Sequence, residues 1–174
     1  RLSTHLNEEE LHAHFGMLPP RYFQIHTAAE ILDDLELVHR FMHVQVTGDD
    51  NQLLAPVVHW RNDPDRGCSV VKICTWDRAG LFGQIAGSLS AAGLTILSAQ
   101  IFTRSDGIVL DTFFVVDART GSLPKPEFET RFKDLLTLAL TTELVEFNSL
   151  IKDQQDGQRL YHPYSGENIP TRVH

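Results

Sequence analysis

Cysteines, clustered basic residues and long apolar runs are what this chain has little of, and each shortage excludes something. Two cysteines occur in 174 residues, Cys68 and Cys74, both in one strand-like stretch. Their even separation places both side chains on the same face of a strand. No other thiol is there to pair with, so a disulfide framework is excluded and reduced, cytosolic thiols are expected. Basic residues number 15 against 23 acidic ones, a formal net charge of -8, and they are scattered singly from Arg1 to Arg172. Nucleic acid and anionic membrane surfaces both demand clustered Lys and Arg, so neither is expected as a partner. No apolar run approaches the roughly 18 residues that a spanning helix needs. The chain opens at Arg1 with neither an initiator Met nor a signal-peptide pattern. It is expected to be a piece excised from a longer cytoplasmic protein.

What is present is globular in character, with hydrophobic residues at 42% and charged residues at 22%. Residues 1–16 read as a helix: Asn7 caps it, Glu8, Glu9 and Glu10 suit its positive end, and Gly16 stops it. After Pro19-Pro20, a capping box of Thr27 and Glu30 opens a second helix of about four turns, carried by Ile31, Leu35, Val38 and Met42. Neither helix has a partner within its own segment. From Leu53 to Trp60 a short apolar run follows, then the loop Asn62–Gly67, then a strand over Ser69–Trp76, which together predict an antiparallel hairpin. At Asp77 the period changes to that of a helix. Leu81, Ile85 and Leu89 form one stripe, Phe82 and Ala86 the stripe beside it, and Gly93 ends the run. Thr95–Thr103 and Ile108–Asp117 are strands about the tight turn Ser105–Gly107. A last helix turns Phe128, Phe132, Leu135 and Ala139 inward.

The order strand, helix, strand, strand, helix predicts an α+β fold: a ferredoxin-like two-layer sandwich, with an antiparallel sheet and helices on one face. A fourth strand is needed beside the first. Glu143–Gln155 still reads as helical, so Leu54–Trp60 is expected to fill that edge from upstream, in permuted order. Ile169–His174 weakly echoes Ala55–Trp60 with a shift of one residue, and a second copy of the same unit is expected to begin there, the alternative being a chance agreement of six residues. The organisation is therefore a helical linker over 1–46, the sandwich over 52–142, and a helical extension with the start of a second unit over 143–174.

The chemistry sits in Asp77-Arg78-Ala79-Gly80-Leu81, which joins a buried strand to a helix start. Unpaired amides and a partial positive charge at a helix start are a natural seat for a carboxylate. Gly80 lets a ligand approach the backbone, and Asp77 can hold an ammonium, so the turn suits an α-amino acid. The plainer reading of the same residues is an Asp cap and a glycine serving turn geometry.

The run Val70–Asp117 resembles the first ACT domain of the bacterial PII uridylyltransferase/uridylyl-removing family. The resemblance is carried by the Asp77-Arg78-x-Gly80-Leu81 turn, the Ile85-Ala86-Gly87 helix, the Ala99-Gln100-Ile101 strand and the Asp106-Gly107-x-x-Leu110-Asp111-Thr112-Phe113 hairpin. Pro20-Arg21-Tyr22-Phe23 with the following helix resembles the link after that family's HD hydrolase domain, and Ile169–His174 the start of its second ACT domain. The resemblance implies a parent enzyme that transfers uridylyl from UTP to a PII signalling protein and removes it again. It further implies glutamine as the regulatory signal, magnesium as the parent's cofactor and no cofactor in this piece. ACT domains bind amino acids between paired modules, so a second ACT domain or another chain is an expected partner. The matching ligand positions are Asp77, Arg78, Ala79, Gly80 and Leu81, with Thr95, Ile96 and Ser98 facing them on the next strand. Many members carry Pro where Ala79 stands and Asn where Thr95 stands, departures expected to weaken a ligand contact.

Catalytic groups are not expected here. Nucleotidyl transfer needs a Gly-Ser followed by spaced carboxylates for metal ions, whereas Gly87-Ser88 lies inside a helix with no such pair in register downstream. No Gly-x-x-x-x-Gly-Lys phosphate loop occurs. His39 and His43 have metal-ligand spacing on one helix face but lack a third ligand. Two functions follow as expectations: an allosteric amino-acid sensor, or a structural module that pairs through its sheet and binds nothing small.

Overall fold

Asn7 accepts a hydrogen bond from the Glu10 amide at 2.8 Å while the Glu10 carboxylate accepts one from the Asn7 amide at 3.0 Å. This reciprocal cap opens α1 (Glu8–Met17). The computed structural model describes residues 6–48 and 55–141. Gly16 does not stop α1. The helix runs on to Met17 and ends at Leu18, whose backbone is extended, because the residue before a proline is pushed out of the helical region. A short helix that the spacing did not suggest follows, α2 (Pro20–Ile25), with proline at its first position. Thr27 and Glu30 form the expected box at the head of α3 (Ala28–Thr47). Its buried side is Asp34, Leu35, Leu37, Val38 and Phe41. Met42 is 38% exposed, so the inward stripe is turned slightly from the one that ends on Met42.

Four strands make one sheet: β1 (Val57–Asp63), β2 (Cys68–Trp76), β3 (Leu94–Thr103) and β4 (Ile108–Asp117). Their order is β1-β2-β4-β3, and every neighbouring pair is antiparallel. Helix α4 (Leu81–Ala91) carries the chain from β2 to β3, and α5 (Pro126–Thr141) follows β4. This is the α+β, ferredoxin-type arrangement expected of an ACT-like sandwich, and β1 fills the edge beside β2 from upstream. The hairpin forms because Asp63 Oδ1 accepts from the Arg66 amide at 3.2 Å and Gly67 adopts φ 65°, a left-handed conformation that glycine takes without strain.

Alternation sends Val71 and Ile73 of β2, and Val109, Phe113 and Val115 of β4, to one face. There they meet Ile85 and Leu89 of α4 and Phe132, Leu136 and Leu140 of α5. The opposite face is covered too. Tyr22 of α2 and Leu37, Val38 and Phe41 of α3 pack on Cys74, Phe102, Ile108 and Leu110. The upstream helices thus find their partner in the far face of the sheet, which they cover as a third layer. A buried polar spine ties that layer down. Lys72 Nζ donates to Asp34 Oδ1 at 2.6 Å, and the Tyr22 hydroxyl donates to Asp34 Oδ2 at 2.6 Å. Central strands covered on both faces explain why β2 and β4 read as near-continuous apolar runs. Cys68 and Cys74 are both buried free thiols. Among the described residues no helix is long and apolar enough to cross a membrane. The expectations for Glu143–Gln155 and for Ile169–His174 lie outside the described residues.

Candidate functional site

The β2–α4 turn is built around Gly80, whose φ of 76° and ψ of 5° put it in the left-handed region. A Cβ there would meet nothing within 4 Å, so glycine serves the backbone and leaves open space beside it. Leu81 N donates to Arg78 O at 3.2 Å, closing the turn, and Gln84 N donates to Gly80 O at 3.0 Å as the helix begins. No side chain caps α4, so with Leu81 N taken by Arg78 O the amides of Phe82 and Gly83 are left without a side-chain acceptor.

Beside this turn lies a cleft of about 250 Å³, lined by Asp77, Arg78, Gly80, Leu81, Phe82, Ile101, Thr103, Val109 and Asp111. That size suits only a small ligand, since drug-sized pockets run from about 300 Å³ upward. The sheet register explains its composition: β4 pairs Asp111 with Ile101 of β3 and Val109 with Thr103. Two carboxylates stand in the cleft. Asp77 is exposed at the end of β2, while Asp111 is 2% exposed and its Oδ1 has no hydrogen-bond partner. Burial pushes the Asp111 carboxyl up to about 7, against the opposing pull of the Phe102 amide, and the charge of Asp77 adds to the rise. Arg78 belongs to the wall in another sense. Its guanidinium donates to Leu140 O at 2.8 Å, and Gln84 Nε2 donates to Ala139 O at 3.2 Å. The turn is thereby pinned to the last carbonyls of α5, and burial lowers the Arg78 pKa.

Of the residues singled out in the sequence, Asp77, Arg78, Gly80 and Leu81 come together at the cleft. Ala79, in the same turn, is exposed and not part of the lining. Thr95, Ile96 and Ser98 are elsewhere. They pair with Val116, Val115 and Phe114 at the start of β3, and a strand rises about 3.3 Å per residue, so Thr95 stands roughly 26 Å from Thr103. Thr95 and Ser98 are exposed, and Ile96 packs on the core. Asp111, Phe82, Ile101, Thr103 and Val109 were missed as lining residues. One signal was available: strand alternation puts Asp111 between Val109 and Phe113, a carboxylate on the core-facing side.

His39 Nδ1 lies 2.6 Å from Glu10 Oε1, so that histidine pairs α3 with α1. Among the described residues no three His, Cys, Asp or Glu side chains converge as a metal ion requires. A smaller cleft of about 80 Å³ on the α3 side is lined by His59, Arg61, Asp63, Arg66 and Lys72 among others. Its buried cation is already paired, Lys72 with Asp34.

No family model matches this chain. Curated relatives do. The bifunctional uridylyltransferase/uridylyl-removing enzyme of Azospirillum brasilense is 45% identical over 120 residues, which is 67% of this chain and 12% of that protein. The protein of the same name from Gluconobacter oxydans is 37% identical over 103 residues, 59% of this chain and 11% of that protein. The one from Photobacterium profundum is 27% identical over 139 residues, 77% of this chain and 15% of that protein. The chain thus spans between 11% and 15% of the length of these relatives. Over about half to three quarters of its own length, it is similar to one part of bifunctional uridylyltransferase/uridylyl-removing enzymes.

Proposed function

We propose that this chain is a regulatory ACT module of a bifunctional PII uridylyltransferase/uridylyl-removing enzyme, and that it senses a small amino acid, glutamine in the first instance. The observation that carries this reading is the conjunction at one cleft of an uncapped helix start, a left-handed glycine turn and two carboxylates. The α-carboxylate of the ligand lies on the first-turn amides of α4, and its ammonium faces Asp77. Phe82, Ile101 and Val109 give the aliphatic part an apolar wall. The family resemblance and the similarity to part of these enzymes support the same assignment. On this reading the piece binds and does not catalyse. Uridylyl transfer to PII, the magnesium it uses and the hydrolytic removal belong to regions of the parent outside this chain, in a cytoplasmic enzyme.

Regulation needs a ligand that prefers one arrangement of the protein over another. The Arg78 and Gln84 contacts to the end of α5 offer the mechanical link, because a ligand that shifts the turn also shifts the carbonyls it holds. Thr95, Ile96 and Ser98 enter this reading only across a pair of modules, contributing to the site of a neighbouring unit. Calorimetric titration with glutamine, glutamate and other amino acids is the test. Selective, saturable glutamine binding that is lost in Asp77→Ala and in Gly80→Asp, with the circular dichroism of both variants unchanged, supports the sensor. Unchanged binding in both variants would overturn the site.

A second reading has its own observation. Strand β3 is a sheet edge, and Leu97, Ile101 and Phe82 on and beside it are 58%, 46% and 53% exposed. An open edge with apolar side chains invites pairing, so the module can serve to join a second ACT domain or another chain. Sedimentation velocity over a concentration series distinguishes the readings: a dimer that ignores amino acids favours the scaffold.

A further inference from the structure

Every other buried Asp, Lys or Arg among the described residues is satisfied. Lys72 pairs with Asp34 at 2.6 Å, Arg104 with Asp106 at 2.9 Å, and Asp117 accepts from the Arg119 amide at 2.8 Å. Asp111 stands apart. It sits in the middle of β4, between Ile73 of β2 and Ile101 of β3, on the face where its neighbours Val109 and Phe113 build the core. One carboxylate oxygen has no partner there, and the residue lines the cleft beside Gly80. Burying a carboxylate with one oxygen unsatisfied and no cation beside it is costly, and a structural role would be served as well by an apolar residue that fills the same place.

We propose that Asp111 is the cation-recognising group of the cleft, and that its carboxylate receives the primary ammonium of a small molecule whose apolar part lies against Phe82, Ile101 and Val109. The inference rests on the cleft being the ligand site and moves the ammonium inward from exposed Asp77 to buried Asp111, Asp77 remaining as a second charge at the mouth. The field around Asp111 is one-sided. Asp77 faces it from the β2–α4 turn; Arg78 lines the same cleft but has its guanidinium on Leu140 O; Ile73 of β2, Ile101 and Thr103 of β3, and Leu81 and Phe82 of α4 carry no charge. A cation is therefore the complement of this site. Because burial holds Asp111 partly protonated near neutral pH, the ammonium displaces its proton. The protonated acid and the alkylammonium become a carboxylate–ammonium pair, and one proton passes to the buffer.

Titrating the whole chain with glutamine in two buffers of different ionisation enthalpy measures that proton. Release is expected to be larger at about pH 6 than at about pH 8. Asp111→Asn keeps shape and fold. It is expected to weaken binding by roughly ten- to a hundredfold, the worth of a hydrogen bond to a charged group, and to abolish the proton release. Two analogues locate the recognised group. The desamino analogue of glutamine should bind the wild type no better than it binds Asp111→Asn, whereas the decarboxylated analogue, which keeps the ammonium, should still discriminate between them. A carboxyl-carbon NMR titration of Asp111, whose midpoint should move to lower pH on addition of glutamine, follows the same pairing independently of affinity. If Asp111→Asn binds glutamine as the wild type does while Gly80→Asp abolishes binding, the cleft is the site and the role of Asp111 is overturned. If neither substitution changes binding, or the wild type binds no ammonium compound, the assignment of the cleft falls with it.

Discussion

The guanidinium of Arg78 donates to the carbonyl oxygen of Leu140 at 2.8 Å, tying the turn before α4 to the last turn of α5 across sixty-two residues of chain. A cation on the final carbonyls of a helix satisfies an acceptor that has no partner within the helix. The contact therefore stabilises α5 and couples its end to the candidate ligand turn.

Replacing Arg78 by Ala is expected to lower stability by about 1 kcal/mol and to loosen the end of α5 before anything else. Hydrogen exchange followed by mass spectrometry should show faster exchange over residues 136–141 with the sheet unchanged. Uniformly faster exchange across the sheet would mean that the contact is not a local clamp.

Lys72 and Asp34 join the sheet to α3 as a buried pair, their side chains 10% and 4% exposed. Lys72→Met leaves Asp34 buried with the Tyr22 hydroxyl as its remaining side-chain partner, and a loss of about 3–5 kcal/mol is expected in urea denaturation. Adding Asp34→Leu should recover much of the loss, since the stranded charge is then gone. A double variant no better than Lys72→Met would show that the pair, not the stranded carboxylate, carries the stability.

Two groups with large shifts, His14 and Asp111, should pull the pH dependence of stability in opposite directions. Burial, with the charge of Arg104 adding and that of Asp34 opposing, lowers His14 from 6.5 to about 4. Its contribution is complete above about pH 6.5 and is lost as pH falls toward about 4, because the unfolded chain takes the proton first. Asp111 is raised from 3.8 to about 7. Its contribution is complete below about 3.8 and is lost as pH rises to about 7. Over the shared window the slopes oppose each other. Asp111→Asn should therefore be more stable than the wild type at about pH 7, by on the order of 2–3 kcal/mol, and should lose that advantage on acidification. His14→Gln should instead gain on the wild type as the pH falls. Parallel denaturation midpoints for the three proteins from about pH 4 to 7 would contradict both assignments.

Gly80→Ala probes the turn alone. Its φ of 76° is costly for a side chain, yet no atom lies within 4 Å of the new methyl. A loss of roughly 1 kcal/mol in thermal denaturation is expected, with the cleft kept open. A loss several times larger would mean that the turn rearranges.

Much of the fold was legible because it is written locally. Caps depend on residues three apart, so Asn7 with Glu10 and Thr27 with Glu30 announced α1 and α3. The apolar, β-branched and aromatic run from Ile108 to Asp117, following the tight turn Ser105–Gly107, announced β4 with its observed bounds. Gly80 and Asp77 were legible as a turn for the same reason. Other features were not. The stop assigned to Gly16 failed because the proline after Leu18 outweighs a helical glycine. The face of α3 shifted because its packing partner, the far side of the sheet, lies some thirty residues or more downstream and no periodicity names it.

The sequence by itself therefore determined the order of the strands and of every helix but α2, the caps of α1 and α3, and the glycine turn at Gly80, all set by contacts within a few residues. Only the tertiary structure decided that the upstream helices cover the second face of the sheet, and that Asp111 opens on the cleft with Asp77 while Thr95 stands far from it. Those outcomes depend on strand register and on which apolar faces meet, and both are settled by long-range burial rather than by local propensity.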